Sequence, residues 1–259
     1  MKRLFSILCA IFLFSACSPK AQSEASRSDF VLGTVCSVRL LEGGSNATLQ
    51  AIFNRLSQIE DRMSANKEDT QIAAINLAAG KEPVKVTEDT LEVIQKALEF
   101  ARLTGGVFDP SVGPLVKLWN IGTEYAKVPA GSAIREKIAL INYEDIELDT
   151  ANKKVFLRKP GMGLDLGAIA KGYAADEISK ILASHRVKAA VVDLGGNVLV
   201  YGQKKDGSPW RVGVQDPASD RGDYLGLVSG KAMTVVTSGI YERFFIEQGL
   251  RYHHILDTK

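Results

Sequence analysis

Residues 164–176 read LDLGAIAKGYAAD, and they place glycines, an acid and a lysine at the start of one predicted helix. Gly163 and Gly167 let the backbone turn tightly and approach another group closely. The N-terminus of a helix attracts phosphate through its free N–H groups and its dipole. Lys171, one turn into the helix, is placed to neutralise a phosphate. Asp165, which looks buried, is suited to accept hydrogen bonds from a sugar or base, or to lie near a metal.

The same stretch also has a purely structural interpretation, as a helix cap followed by a solvated lysine. It does not match the dinucleotide-binding pattern G-x-G-x-x-G, because three residues separate Gly163 from Gly167. No regular strand–helix–strand rhythm surrounds it either, which argues against a Rossmann site. The binding and the structural interpretations both stay open on this stretch alone.

Outward from this stretch, the pattern predicts short elements of both types. Apolar spacing and caps predict helices at 168–184, at 48–63, from a cap at Thr87 to Gly105 and Gly106, and over 132–141. Alternating apolar residues and glycine turns predict strands within 29–43, 146–149, 154–159, 189–202, 210–217, 224–230 and 232–239. Strands and helices are interspersed without βαβ order, so the predicted fold class is α+β with mixed or antiparallel sheets and packed helices.

Three other segments carry polar residues at turns. Asp109 precedes a proline in a glycine-flanked loop, where a structural role is the default. Two glycines follow Asp193 inside a strand pattern, which predicts a bulge or a close backbone contact. His253 and His254 are adjacent in a predicted strand, so their side chains face opposite ways and one of them can enter a site.

The N-terminus MKRLFSILCAIFLFSAC has the pattern of a secretory signal. Two basic residues precede an apolar run, which is too short for a permanent membrane span. A cleaved signal over residues 1–16 is one interpretation. A lipoprotein signal, in which Cys17 becomes the lipidated first residue, is the favoured one. Residues 17–28 then form a flexible tether and residues 29–259 the domain, which predicts an exported lipoprotein on a bacterial membrane, facing the periplasm.

Composition and charge exclude some classes of protein. The 259 residues are 46% hydrophobic and 24% charged, which is typical of a globular protein. Without Lys2 and Arg3 of the signal, 30 basic residues face 30 acidic ones, so nucleic-acid binding is not expected. Cys36 is the one cysteine left after residue 17, which excludes an intramolecular disulfide in the domain.

Seven blocks in a fixed order resemble the ApbE-type FAD:protein FMN transferases, a family of exported and often lipidated enzymes. The blocks are FVLGT, GGVFDPSVGPLVKLW, LDLGAIAKGYAAD, DLGGNVLVYG, WRVGVQDP, TSGIYERFF and HHILD. The resemblance covers residues 29–259 and implies a T-fold-like α+β architecture.

The resemblance also implies roles for individual residues. It implies FAD contacts for two residues of the opening stretch and for others along the chain. These are Leu32, Asn66, Val107, Phe108, Asp109, Asp165, Lys171 and Leu256. It implies that the backbone carbonyl of Ala168 binds Mg²⁺ and that His254 is the general base. Leu32 stands where many members have methionine, and Asn66 where many have a tyrosine against the adenine.

The implied reaction is Mg²⁺-dependent transfer of FMN from FAD to a Thr or Ser hydroxyl, with release of AMP. The implied partners are FAD, the membrane through a lipid, and flavin-acceptor subunits of exported redox complexes. Two alternatives stay open: a Mg²⁺-dependent FAD pyrophosphatase, favoured by Asn66, and a flavin-binding lipoprotein without enzymatic activity. Because the chain stops at Lys259, soon after HHILD, we expect a fragment that lacks two further metal ligands, an Asp and a Thr.

Overall fold

The computed structural model describes residues 24–219 and 222–258. The predicted signal segment, residues 1–16, and the predicted lipidation site Cys17 lie outside the described residues. The first strand begins at Ala25 and pairs in register with residues up to Leu40. The folded part therefore starts earlier than the boundary predicted at residue 29, because the end of the predicted tether is a strand.

The predicted α+β class is confirmed, and helices and strands alternate irregularly along the chain. The helices are α1 (Asn46–Met63), α2 (Gln71–Leu77), α3 (Glu88–Leu103), α4 (Gly113–Trp119), α5 (Gly131–Ile138) and α6 (Ala170–Ser184). The strands are β1 (Ala25–Val31), β2 (Thr34–Glu42), β3 (Val84–Lys85), β4 (Ile146–Asp149), β5 (Lys154–Leu157), β6 (Ala189–Asp193), β7 (Asn197–Gly202), β8 (Trp210–Gln215), β9 (Tyr224–Gly230), β10 (Met233–Val236), β11 (Phe244–Glu247) and β12 (Leu250–His253).

The strands form antiparallel sheets. The largest has the order β1-β2-β6-β7-β10, and a smaller one has the order β3-β5-β4. Two further pairs are β8 with β9 and β11 with β12. Helices α1 and α6 contact each other, α1 also contacts β1, and α6 also contacts β7. This arrangement brings the start of α6 to one end of the large sheet.

Local sequence explains the main helices. Apolar residues of α1 recur at helical spacing and are buried together: Leu49, Ile52, Phe53, Leu56, Ile59 and Met63. Helix α3 begins after Thr87 and has two acidic residues in its first turn. Their negative charges interact favourably with the positive end of the helix dipole. It ends before Gly105 and Gly106, both of which have positive φ.

The structure differs from the predictions in five short segments. Residues 29–43, predicted as a strand and turn, are part of the hairpin β1–β2. Helices α2 and α4 and strands β3 and β11 were not predicted, because each is short and is held by its neighbours rather than by its own periodicity. Helix α4 begins with Gly113 and Pro114, and proline is tolerated in the first turn of a helix. Within the described residues, no helix is both long enough and apolar enough to cross a membrane.

Candidate active site

Two tight turns lie at the same end of the large sheet. Leu32 and Gly33 connect β1 to β2, and Gly195 and Gly196 connect β6 to β7. All four have positive φ, from 57° to 87°, the geometry that suits a two-residue hairpin turn. Leucine rarely adopts this conformation, so Leu32 is held there by the hairpin. The carboxylate of Asp193 accepts the N–H groups of both glycines, at 2.9 and 3.2 Å.

The two turns and the end of β10 form one surface. A Cβ on Gly195 would lie 2.3 Å from Oγ1 of Thr34, so only glycine allows these two strands to approach so closely. On the other side, the N–H of Thr237 donates to the carbonyl of Gly196 at 2.9 Å. The close backbone contact predicted for the glycine pair is therefore confirmed, and it lies at a tight turn.

Lys171 extends from the first turn of α6 to this surface. Its Nζ donates to the carbonyl of Gly195 at 3.0 Å, and the side chain is partly buried. Desolvation lowers the pKa of Lys171, and the positive charge of Arg243 lowers it further. The alternative of a solvated lysine is thus wrong: Lys171 is a partly desolvated cation beside a second cation, an arrangement that favours binding of an anion.

Asp165 lies in the loop that leads into α6, and it is half-buried rather than buried. Its N–H donates to the carbonyl of Pro110 at 2.9 Å, and its Oδ1 accepts the N–H of Gly167 at 2.7 Å. Among the described residues, none donates a hydrogen bond to its Oδ2. One carboxylate oxygen therefore orders the loop, and the other is available to a ligand.

Asn76 of α2 holds the same loop through hydrogen bonds, a role that no sequence pattern predicted. Its Nδ2 donates to the carbonyl of Leu164 at 3.0 Å, and its Oδ1 accepts the N–H of Leu164 at 2.6 Å. A side-chain amide that pairs with both backbone groups of one residue replaces a strand partner. No local signal could have identified it, since 88 residues separate the pair.

Ala168, the predicted metal-binding residue, lies in an exposed turn before α6. Within residues 24–219 and 222–258, its carbonyl oxygen accepts no hydrogen bond. An oxygen of this kind suits Mg²⁺, which usually keeps several waters and takes its other ligands from a substrate phosphate. In the same part of the chain, no group of three or more His, Cys, Asp or Glu side chains is placed to hold a metal ion.

The predicted FAD loop, residues 107–109, adjoins the Asp165 loop through Pro110. Val107 is exposed, whereas Phe108 packs against the core. Asp109 accepts hydrogen bonds from the N–H and Oγ of Ser111, at 2.8 and 2.6 Å, and from the N–H of Tyr143 at 2.9 Å. The carboxylate of Asp109 therefore orders its own loop in the described structure, as expected for an acid before proline.

Asn66 lies exposed in the loop after α1, and Glu60 places this loop beside the β1–β2 turn. One oxygen of Glu60 accepts the N–H of Gly33 at 3.2 Å, and the other pairs with the ammonium of Lys67 at 2.7 Å. Since Lys67 directly follows Asn66, the two segments with predicted FAD contacts at Leu32 and Asn66 are neighbours in space.

His254 follows β12 and is fixed by one carbonyl group. Its N–H and its ring Nδ1 both approach the carbonyl oxygen of Arg243, at 3.1 and 3.2 Å. Partial desolvation lowers the pKa of His254, the hydrogen bond to the Arg243 carbonyl partly opposes this, and the charges of Arg243, His253 and Lys171 lower the pKa further. A lowered pKa favours the neutral imidazole, which is the form that a general base requires.

Leu256 lies two residues after His254 and lines a cavity of about 210 Å³. His253, Leu115, Trp119 and Tyr252 line the same cavity. The Nδ1 of His253 is buried and has no hydrogen-bond partner among the described residues. Contacts thus join Lys171, Leu32 and His254 through the turns and Arg243, but within the described residues no hydrogen bond joins Leu256 to that group.

Comparisons with known proteins agree with this geometry. The model of the ApbE family matches residues 32–259. The chain is 40% identical to a FAD:protein FMN transferase of Treponema pallidum, over 98% of this chain and 74% of that protein. It is 39% identical to one of Klebsiella pneumoniae, over 82% of this chain and 66% of that protein. The crystal structure of an ApbE protein from Thermotoga maritima superimposes with a TM-score of 0.84 at 36% identity, over 91% of this chain and 77% of that one.

Proposed function

Because this chain belongs to the ApbE family, we propose that it is a FAD:protein FMN transferase, which moves FMN from FAD to an acceptor protein. The observation that carries the proposal is the meeting of Lys171, Arg243 and His254 at one end of the large sheet. Two cations and a neutral imidazole suit a reaction in which a hydroxyl attacks a pyrophosphate.

The proposed roles follow from the chemistry of each group. Lys171 and Arg243 offset the negative charge of the FAD pyrophosphate, and the free oxygen of Asp165 accepts a hydrogen bond from the nucleotide. A Thr or Ser oxygen of the acceptor forms a bond to the phosphorus of the FMN half. The phosphoanhydride bond breaks, AMP leaves with the bridging oxygen, and His254 takes the proton of the hydroxyl.

We also propose that the reaction requires Mg²⁺. The carbonyl of Ala168 supports this, because the residue is exposed, lies three residues after Asp165, and accepts no hydrogen bond within the described residues. Bound there, the ion would offset charge on the pyrophosphate. The requirement is tested by comparing activity in excess EDTA with activity after Mg²⁺ is restored.

A second candidate function is hydrolysis of FAD to FMN and AMP at the same site, with water in place of the hydroxyl. The exposed side chain of Asn66 favours it, since asparagine offers no surface on which adenine can stack. Stacking on an aromatic side chain stabilises a bound base by about 1–3 kcal/mol. Replacing Asn66 by tyrosine should therefore hold FAD longer and shift the balance from hydrolysis toward transfer.

One experiment separates these functions. The purified protein is incubated with FAD and Mg²⁺, with and without an acceptor protein, and flavin fluorescence on the acceptor is measured beside AMP release. We expect flavin on the acceptor, and a loss of about 10²- to 10⁴-fold in His254→Ala but not in His185→Ala. His185 is a matched control because it bonds Thr48 at the far end of α6. AMP release without any labelled acceptor would favour the hydrolase.

We further propose that the protein is an exported lipoprotein attached through Cys17 to a bacterial membrane, where it faces the periplasm and meets flavin-acceptor subunits of redox complexes. The basic and apolar N-terminal residues that end in FSAC support this. The variant Cys17→Ser should leave the membrane fraction or remain unprocessed. Mass spectrometry that finds an unmodified mature N-terminus at another residue would contradict the proposal.

A further inference from the structure

We propose that Arg243 is a positioning residue for His254. Its side chain fastens the segment before β11 to the β1–β2 turn, and its carbonyl holds the imidazole in the tautomer that leaves Nε2 free. The inference rests on the proposed function, in which His254 is the general base, and it names the residue through which that base is oriented.

The side chain of Arg243 joins two distant parts of the chain. Its Nη2 donates to the carbonyl of Gly33 at 2.8 Å, across 210 residues of sequence. A Cβ on Gly33 would lie 3.7 Å from the same guanidinium, and a Cβ on Gly122 would lie 3.6 Å from its Cδ. The arginine therefore lies close to both glycines, at distances of ordinary van der Waals contact.

The carbonyl of Arg243 determines which ring nitrogen carries the proton. Phe244 pairs with His253 across the β11–β12 hairpin, so Arg243 faces His254 just beyond the last pair. The carbonyl accepts the backbone N–H of His254 at 3.1 Å and lies 3.2 Å from its Nδ1. Because a carbonyl can only accept, Nδ1 must carry the hydrogen, and Nε2 keeps its lone pair.

Two features of Arg243 act on the protonation of His254 in opposite directions. Partial desolvation is the largest influence and disfavours the imidazolium, and the charges of Arg243, His253 and Lys171 disfavour it as well. The hydrogen bond to the Arg243 carbonyl favours the imidazolium and so raises the pKa. Arg243 thus fixes the tautomer through its carbonyl and opposes protonation through its charge, and its link to Gly33 keeps both groups in place.

Nuclear magnetic resonance of the imidazoles tests the inference without relying on activity. The chain has three histidines, so the ring signals can be assigned from single His→Gln variants. Titrations and ¹⁵N shifts are compared between the wild type, Arg243→Met and Arg243→Lys. Arg251→Met is the matched control, since Arg251 lies on the same hairpin but stacks on Phe244.

We expect loss of the single Nδ1–H tautomer in Arg243→Met, seen in the ring ¹⁵N shifts, because the carbonyl that fixes this tautomer is no longer anchored through Gly33. Arg243→Lys, which keeps a donor for the Gly33 carbonyl, should keep most of the tautomer preference, and Arg251→Met should behave as the wild type. A folded Arg243→Met protein with an unchanged tautomer would overturn the inference. If instead the imidazole responds as expected and no transfer occurs in any protein, the proposed function fails and the positioning role stands.

Discussion

At the scale of the residue, the environment of Lys171 is unfavourable for a positive charge. The ammonium is partly desolvated and lies near Arg243, and its hydrogen bond goes to the neutral carbonyl of Gly195 and not to an acid. A cation held in this way contributes little to folding, because desolvation offsets what the hydrogen bond adds. The proposed role of Lys171 in binding the FAD pyrophosphate would account for this environment.

Replacing Lys171 by methionine should therefore weaken FAD binding while leaving stability almost unchanged. Loss of a charged hydrogen bond to the ligand costs about 1.5–3 kcal/mol, or roughly ten- to a hundredfold in affinity. Fluorescence titration with FAD and thermal unfolding of the apo protein measure the two effects. Lys180→Met, at an exposed position of the same helix, should bind FAD normally. Equal affinities of wild type and Lys171→Met would show that the amine does not contact the nucleotide.

At the scale of the element, charged side chains join three helices beside the site. Arg55 of α1 pairs with Asp89 of α3 at 3.0 Å and with Glu177 of α6 at 2.9 Å. Arg55 also donates a hydrogen bond to the hydroxyl of Tyr173, at 3.0 Å. The ion pair with Asp89 is largely shielded from water, since Asp89 is 8% exposed. Since α6 carries Lys171 and follows the Asp165 loop, these contacts help to set the position of the site.

Asp89 should make stability depend on pH. Burial raises the pKa of Asp89, but hydrogen bonds from Thr87, Arg62 and Arg55 outweigh burial and lower it below its ordinary value. A lowered pKa in the folded state stabilises the protein above the unfolded value of about 3.9, and this stability is lost as pH falls through the folded value.

Asp89→Asn should accordingly lower the free energy of unfolding by about 2–3 kcal/mol at pH 7, because it leaves Arg55 without one of its buried partners. The difference from the wild type should shrink below about pH 4. Urea unfolding at several pH values measures it, with Asp61→Asn as a control at an exposed position of α1. A difference that stayed constant down to pH 3 would show that the charge of Asp89 is not responsible.

At the scale of the whole molecule, the side of the site that carries Lys171 and the side that carries His254 are held in place by different contacts. The buried apolar side chains of the described residues lie between Val31 and Trp210. Many large apolar residues from Tyr224 to Ile255 are exposed instead. Lys171 and the glycine turns thus belong to the part of the chain that forms the buried core. His254 rests on hairpin hydrogen bonds and the link from Arg243, supplemented by a cluster of three aromatic rings, Trp119, Phe245 and Tyr252.

The sequence by itself determined the features that depend on neighbouring residues. The apolar spacing of α1, the cap and final glycines of α3, and the glycine pair after Asp193 were predicted correctly, because each is a local property of the backbone. The family was also predicted, from motifs that keep their order along the chain.

Only the tertiary structure decided which of these motifs meet. It placed Lys171 on the carbonyl of Gly195, Asn76 on Leu164, and Arg243 on Gly33, which are 24, 88 and 210 residues apart. In the structure, Asp109 orders its own loop, and Leu256 lines a cavity with Leu115, Trp119 and Tyr252. Such pairs arise from sheet order and helix packing, which depend on the burial of apolar side chains along the whole chain. A short stretch of sequence therefore cannot predict them.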